Sequence, residues 1–222
     1  MHIPDAYLSA PVFAAGYVVS GAVCAVAVAR ANRNLGEREV PLLGMTAAFI
    51  FAVQTLNFPV VGGTSGHFLG STFAAVLLGP LNACLVMAVV LLIQCLGFGD
   101  GGLTALGANL FNMGIVGALG GWLLFRALRA VLPKSRWGFL ASAGAASWVA
   151  MVVASAICAG ELAASGPPFQ LRVALPAMAG VHALIGIGEA VITVAALSSV
   201  LAVRPDLVAA WDRTPKLEEA RP

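Results

Sequence analysis

Seven apolar runs divide this chain, near residues 10–29, 40–57, 69–78, 81–96, 103–125, 139–162 and 174–203, and almost every charged residue falls between them. A helix of about twenty apolar residues covers the roughly 30 Å of hydrocarbon in a bilayer. The chain therefore reads as an all-α integral membrane protein of about seven transmembrane helices. Composition agrees, with 60% hydrophobic and only 10% charged residues and a mean hydropathy of +0.94. Soluble domains carry roughly 25% charged residues. The lipid bilayer is thus the first partner, and a net charge of +2 offers no basic surface to nucleic acid.

Charge sets the topology. Gly79-Pro80 interrupts the stretch 69–98 with a strong helix breaker. If that stretch crosses twice, eleven of the twelve Lys and Arg residues lie on one face. They are Arg30, Arg33 and Arg38 after the first run, Arg126, Arg129, Lys134 and Arg136 after the fifth, and Arg204, Arg213, Lys216 and Arg221 after the seventh. Only Arg172 falls elsewhere. A single crossing would split these clusters and break the positive-inside rule. Seven crossings are predicted, in the plasma membrane, with the amino terminus outside and the carboxyl terminus in the cytoplasm. Residues 1–203 read as one transmembrane domain and 204–222 as a short cytoplasmic tail.

The first nine residues carry no Lys or Arg, so the first run reads as a retained helix and not as a cleavable signal. Cys24, Cys84, Cys95 and Cys158 lie inside apolar runs with no C-x-x-C pair, the pattern of small buried hydrophobes.

That topology places Met1-His2 at the outer mouth of the first helix. The Met1 amine, the His2 backbone amide and His2 Nδ1 close a five- and then a six-membered chelate ring around one ion. Such a claw suits metals that take nitrogen in a planar array, Ni(II) and Cu(II) above all, with Co(II) also accommodated. Alone, His2 reads more readily as an interfacial side chain. A second histidine enters through length. A helix from Leu69 to Leu78 rises only about 15 Å, so the irregular stretch Asn57 to His67, rich in Gly and broken by Pro59, is predicted to dip into the outer half of the bundle. It carries His67 towards the claw, which has three donors where a planar ion wants four.

Five amides lie at comparable depth in the outer halves of the runs: Gln54, Asn57, Gln94, Asn109 and Asn112. They read as hydrogen-bonding supports for the claw and the His67 loop, with ordinary interhelical bonding as the alternative. His182 and Glu189, seven apart, share one helix face. His182 reads as packing or as a further support or ligand, and Asp100 as a turn residue.

The stretches Met1-His2-Ile3-Pro4-Asp5, Gly62-Gly63-Thr64-Ser65-Gly66-His67, Phe98-Gly99-Asp100-Gly101-Gly102 and His182 to Glu189 together resemble the CbiM/NikM family. Its members are the substrate-binding (S) components of energy-coupling-factor cobalt and nickel transporters. The resemblance implies Met1, His2 and His67 as metal ligands, and one amino-terminal helix added to a six-helix S-component core. It implies Co(II) import for cobalamin biosynthesis, with Ni(II) as the alternative substrate and no resident cofactor. It also implies a CbiQ-like coupling protein, a CbiO-like ATPase and a CbiN-like small membrane protein as partners. The family start usually has Gly where this chain has Ala6, which reads as a conservative departure. No P-loop motif occurs, so the chain is expected to be a transport component and not an enzyme, with ATP hydrolysis in a partner. Small-residue pairs, Ala48 with Ala52 and Ala143 with Ser147, are candidates for partner-helix docking or for internal packing.

Two other classes fit less well. A metalloenzyme needs an open metal position and an acid or base. Glu161 and Glu189 are candidates, but no H-E-x-x-H is present. A secondary carrier needs a carboxylate relay or an inverted repeat, and the chain has one mid-span carboxylate and no repeat.

Overall fold

Proline and glycine set the helix ends. Pro11, Pro41 and Pro80 stand in the first turns of α1 (Ala10–Asn34), α2 (Val40–Gln54) and α4 (Pro80–Phe98), where an N–H is without an intrahelical acceptor in any case. Between α3 (Ser71–Leu78) and α4, Gly79 adopts φ +87°. The 69–98 run therefore breaks at the predicted place, in a conformation that favours glycine. The computed structural model describes residues 1–36 and 39–211. It continues with α5 (Leu106–Val131), α6 (Arg136–Ala164) and α7 (Leu171–Val203). Among the described residues, α1 and α4 to α7 are long and apolar enough to cross a membrane, while α2 and α3 are shorter. The fold is the predicted seven-helix membrane bundle.

One stretch differs from its reading as irregular chain. Residues 57–67 form a small antiparallel hairpin, β1 (Asn57–Pro59) and β2 (Ser65–His67), with Asn57 opposite His67 and Phe58 opposite Gly66. Pairing satisfies backbone groups that would otherwise be exposed at membrane depth. The hairpin leads into α3, whose eight residues are all buried and span only about 12 Å. The short helix thus has its missing height supplied by the hairpin, and His67 is fully buried.

α3 packs against the middle of α5, Phe111–Gly120, which is π-helical. A Cβ on Gly117 or Gly121 would lie 2.4 Å from Ser71 Oγ or 2.1 Å from Thr72 Oγ1, and Thr72 Oγ1 donates to Gly117 O at 2.8 Å. The same device seats α1, because a Cβ on Gly16 would lie 2.7 Å from Ala108 N. Ser20 Oγ also donates to Gly107 O. Absent side chains let the backbones approach, and this crossing fixes where the amino terminus lands. Of the proposed docking pairs, Ala48 and Ala52 are exposed on α2. Ala143 and Ser147 are buried inside the chain, so they serve internal packing and not a partner.

The two ends of the bundle differ in character. One gathers residues 1–9, the hairpin, and the loops at 99–105 and 165–170. Every described Lys and Arg except Arg172 lies towards the other end; Arg38 and the basic residues beyond 211 lie outside the described residues. At that end the chain after Val203 turns back under α3. Ala209 and Ala210 donate to Leu77 O and Val76 O, and Trp211 packs edge-on against Phe139 with ring centroids 5.0 Å apart. Residues 212–222 of the predicted tail lie outside the described residues.

Candidate metal centre

The first five residues are built into the protein. Asn109 grips Ile3 at both backbone groups, accepting from Ile3 N at 2.8 Å and donating to Ile3 O at 3.1 Å, and Gly102 N donates to Ile3 O as well. Asp5 Oδ1 accepts from Thr104 N and Thr104 Oγ1 at 2.7 and 2.6 Å. Here the backbones run so close that a Cβ on Gly102 would lie 2.2 Å from Asp5 N. Met1 and Ile3 are fully buried and His2 nearly so.

Ala6, where the chain turns towards α1, is the one described residue other than glycine with positive φ, at +67°. A Cβ is unfavourable there by about 1 to 2 kcal/mol. The departure from glycine is therefore not neutral. Ala6→Gly is expected to raise stability by about 1 kcal/mol, a gain of a few degrees in a detergent-solution thermal melt.

Ser65 gathers the backbone donors. The Met1 amine donates to Ser65 O at 2.6 Å and to Ser65 Oγ at 3.1 Å, and His2 N donates to the same Oγ at 3.1 Å. Ser65 escaped the sequence reading although it lies two residues before His67, on the same face of an extended strand. The His67 ring stacks on His2, with centroids 4.4 Å apart and an interplanar angle of 24°.

Hydrogen bonds decide which ring nitrogens carry lone pairs. Gln54 Nε2 donates to Leu69 O, Gln94 Nε2 donates to Gln54 Oε1, and Gln94 Oε1 is thereby left to accept from His2 Nε2 at 3.0 Å. Each amide's orientation follows from the next, so His2 carries its proton on Nε2 and a lone pair on Nδ1. His67 Nδ1 lies 2.7 Å from the Phe68 carbonyl, which can only accept, leaving the lone pair on Nε2. His2 Nδ1 and His67 Nε2 are both buried without a hydrogen-bond partner. Buried polar atoms seldom go unpaired.

Asp100 sharpens the point. Its Oδ1 lies 3.2 Å from His2 Nδ1, but outside hydrogen-bond geometry. With the proton on Nε2, this contact sets a lone pair against a carboxylate, an arrangement that a cation relieves. The residue read as a turn former is thus also part of the pocket wall, and the Asn57 side chain stands close enough to ease the burial of its carboxylate.

Burial pushes the Met1 amine from its ordinary value near 8 down to about 5 and the His2 imidazole down to about 3. Between about pH 5 and 8 the folded amine therefore holds fewer protons than the unfolded one. Stability rises with pH across that window and is lost as pH falls through it.

Four of the five amides thus support the site, through His2 (Gln54 and Gln94), Ile3 (Asn109), and Asp100 and the hairpin (Asn57). Asn112 does not. Its Nδ2 donates to Glu161 Oε2 at 2.5 Å, linking α5 to α6. Glu189 accepts from Leu69 N and Gly70 N at 3.0 and 2.8 Å, pinning the start of α3. Among the described residues no three His, Cys, Asp or Glu side chains converge as a metal cage. What converges is a nitrogen set in which the chain's own amine and amide take part.

A membrane bundle closed over such a pocket is the architecture of a metal transporter. It superposes on a crystal structure of a truncated transition metal transporter with a TM-score of 0.85 and 34% identity, covering 91% of this chain and 99% of that one. The chain belongs to the CbiM family, described as the cobalt uptake substrate-specific transmembrane region, which matches residues 2–207. It is 42% identical to a putative fused nickel transport protein NikMN of Archaeoglobus fulgidus, over 94% of this chain and 68% of that protein. It is 37% identical to a putative cobalt transport protein CbiM of Halobacterium salinarum, over 83% and 79% of the two.

Proposed function

We propose that this chain is the substrate-capture component of an ATP-driven energy-coupling-factor importer, binding Ni(II) or Co(II) through the Met1 amine, the His2 amide, His2 Nδ1 and His67 Nε2. The observation that carries the reading is the pair of buried lone pairs on His2 and His67 beside an amine and an amide gathered by Ser65. Planar nitrogen favours Ni(II), which also stands above Co(II) in intrinsic affinity. Co(II) is the second reading, supported by the family description. Metal analysis of protein purified after growth in equal traces of both ions tests the order, and a cobalt excess would reverse it.

The amino terminus faces outside and the basic end the cytoplasm of the plasma membrane, as the clustering of Arg and Lys supports. A CbiQ-like coupling protein, a CbiO-like ATPase and a CbiN-like partner supply what this chain lacks, with the exposed Ala48 and Ala52 offered to the first. Loss of metal uptake when the ATPase is withheld from cells expressing the full set is the expected result. Undiminished uptake by this chain alone would point to a secondary carrier.

Capture at this site also has a defined proton stoichiometry. Since burial lowers the amine to about 5 and the His2 imidazole to about 3, they do not compete as free groups would. Only the His2 amide proton remains to be displaced. From about pH 6 to about pH 8, calorimetry in buffers of different ionisation enthalpy should read one proton released per metal and about a tenfold gain in affinity per pH unit. Release of two or three protons would mean that the amine and imidazoles stay protonated in the folded chain.

A further inference from the structure

A third buried imidazole lies on the helix face that packs against the His67 hairpin. His182 is fully buried in α7, its Nδ1 is 2.7 Å from the Met178 carbonyl, and that acceptor fixes the proton on Nδ1. Its Nε2 therefore carries a lone pair, and no partner meets it among the described residues. Its helix face is the one on which the metal-site hairpin lies. A Cβ on Gly63 would meet Met178 Sδ at 2.4 Å, and one on Gly66 would meet Ile185 and Val181 at 2.7 and 3.4 Å. Leu69 N reaches Glu189. Residues 63 to 69 thus descend α7 along positions 178, 181, 185 and 189, the i, i+3, i+4 stripe that also holds His182. His182 lies within electrostatic range of both His67 and the Met1 amine.

We infer that His182 Nε2 is a fifth, axial metal ligand that is engaged by Co(II) and left unbound by Ni(II), making it a determinant of metal choice. This rests on the four-nitrogen site proposed above. The chemistry follows from electron count. In a plane of four strong nitrogen donors, d⁸ Ni(II) pairs its electrons with the axial orbital filled, so a fifth donor is repelled. Low-spin d⁷ Co(II) has one electron in that orbital and accepts an axial base. The protein sets selectivity by the geometry it offers and not by affinity alone. No proton or electron is exchanged, because the imidazole donates a lone pair that is already free.

The test is anaerobic electron paramagnetic resonance of the Co(II)-loaded full chain in detergent. An unpaired electron in the axial orbital is split into a triplet by a single axial nitrogen. The wild type should show this triplet, and His182→Phe and His182→Gln should each lose it. Co(II) affinity should fall by about tenfold or more in both variants while Ni(II) affinity changes less than about twofold. Retained Ni(II) binding shows an intact fold and separates this inference from the four-nitrogen site, whose failure would remove binding of both metals in the wild type. A wild-type spectrum without axial nitrogen splitting would overturn the inference and give the position to oxygen, from Asp100 or water. A triplet that persists in either variant would overturn it equally. If one variant fails to fold, the other and the wild-type spectrum still decide.

Discussion

A single alanine placed before Met1 is expected to abolish high-affinity metal binding, lowering affinity by more than about a hundredfold, beyond what loss of one outer partner produces. The extension turns the primary amine into a peptide amide that donates only once ionised, and the new amine could complete a chelate through two amides only by displacing His67 from the fourth position. Burial adds to the loss. The amine lies against Ser65 O at 2.6 Å with Met1 fully enclosed, and an added residue has to displace Ser65 or leave the pocket with His2. A tag of the same length after Pro222 should leave affinity unchanged. Isothermal titration of the two tagged proteins measures the contrast, and equal affinities would remove the amino terminus from the site.

His67→Ala is expected to cost about ten- to a hundredfold in affinity, less than the amino-terminal extension. In the proposed site His67 supplies one unidentate nitrogen, whereas the three donors of Met1 and His2 are chelated to one another. The substitution also removes a ring stacked 4.4 Å from His2 and opens a cavity in the hairpin. Asn112→Ala provides the comparison. It is buried at similar depth but bonded to Glu161, and it should alter stability while leaving metal affinity within about twofold. Should Asn112→Ala and His67→Ala weaken binding equally, the effect would belong to packing and not to ligation.

The bundle was legible because its signals are strong and local. Charge-poor runs of membrane-spanning length, Gly79-Pro80 as a break, and basic clusters after the first, fifth and seventh runs determine seven helices with little help from tertiary context. The proposed donors come from a signal of a similar kind, since chelate rings at Met1-His2 are set by covalent structure. What holds them was only half visible. Intramembrane amides announce themselves by cost, and Gln54, Gln94, Asn57 and Asn109 do support the pocket. Depth alone could not separate them from Asn112, which lies on a neighbouring face of α5. Ser65, Asp100 and Thr104 carried no such signal, because Ser, Asp and Thr near glycines are ordinary turn residues and only the fold brings them to residues 1–5. The left-handed turn at Ala6 was likewise hidden, as was the pairing of the 57–67 hairpin. Small-residue pairs mark close packing without saying whose. Ala143 and Ser147 turned out to face the chain's own interior.

The central claim is that four nitrogens, one of them an ionised backbone amide, enclose the ion in a plane. It is tested most directly by the optical and magnetic properties of the Ni(II) complex of the full chain. A strong in-plane field pairs the d⁸ electrons, so the complex should be yellow and diamagnetic, with sharp unshifted proton resonances. A paramagnetic complex with the weak absorption of six-coordinate Ni(II) would place carboxylates or water in the shell and contradict the account.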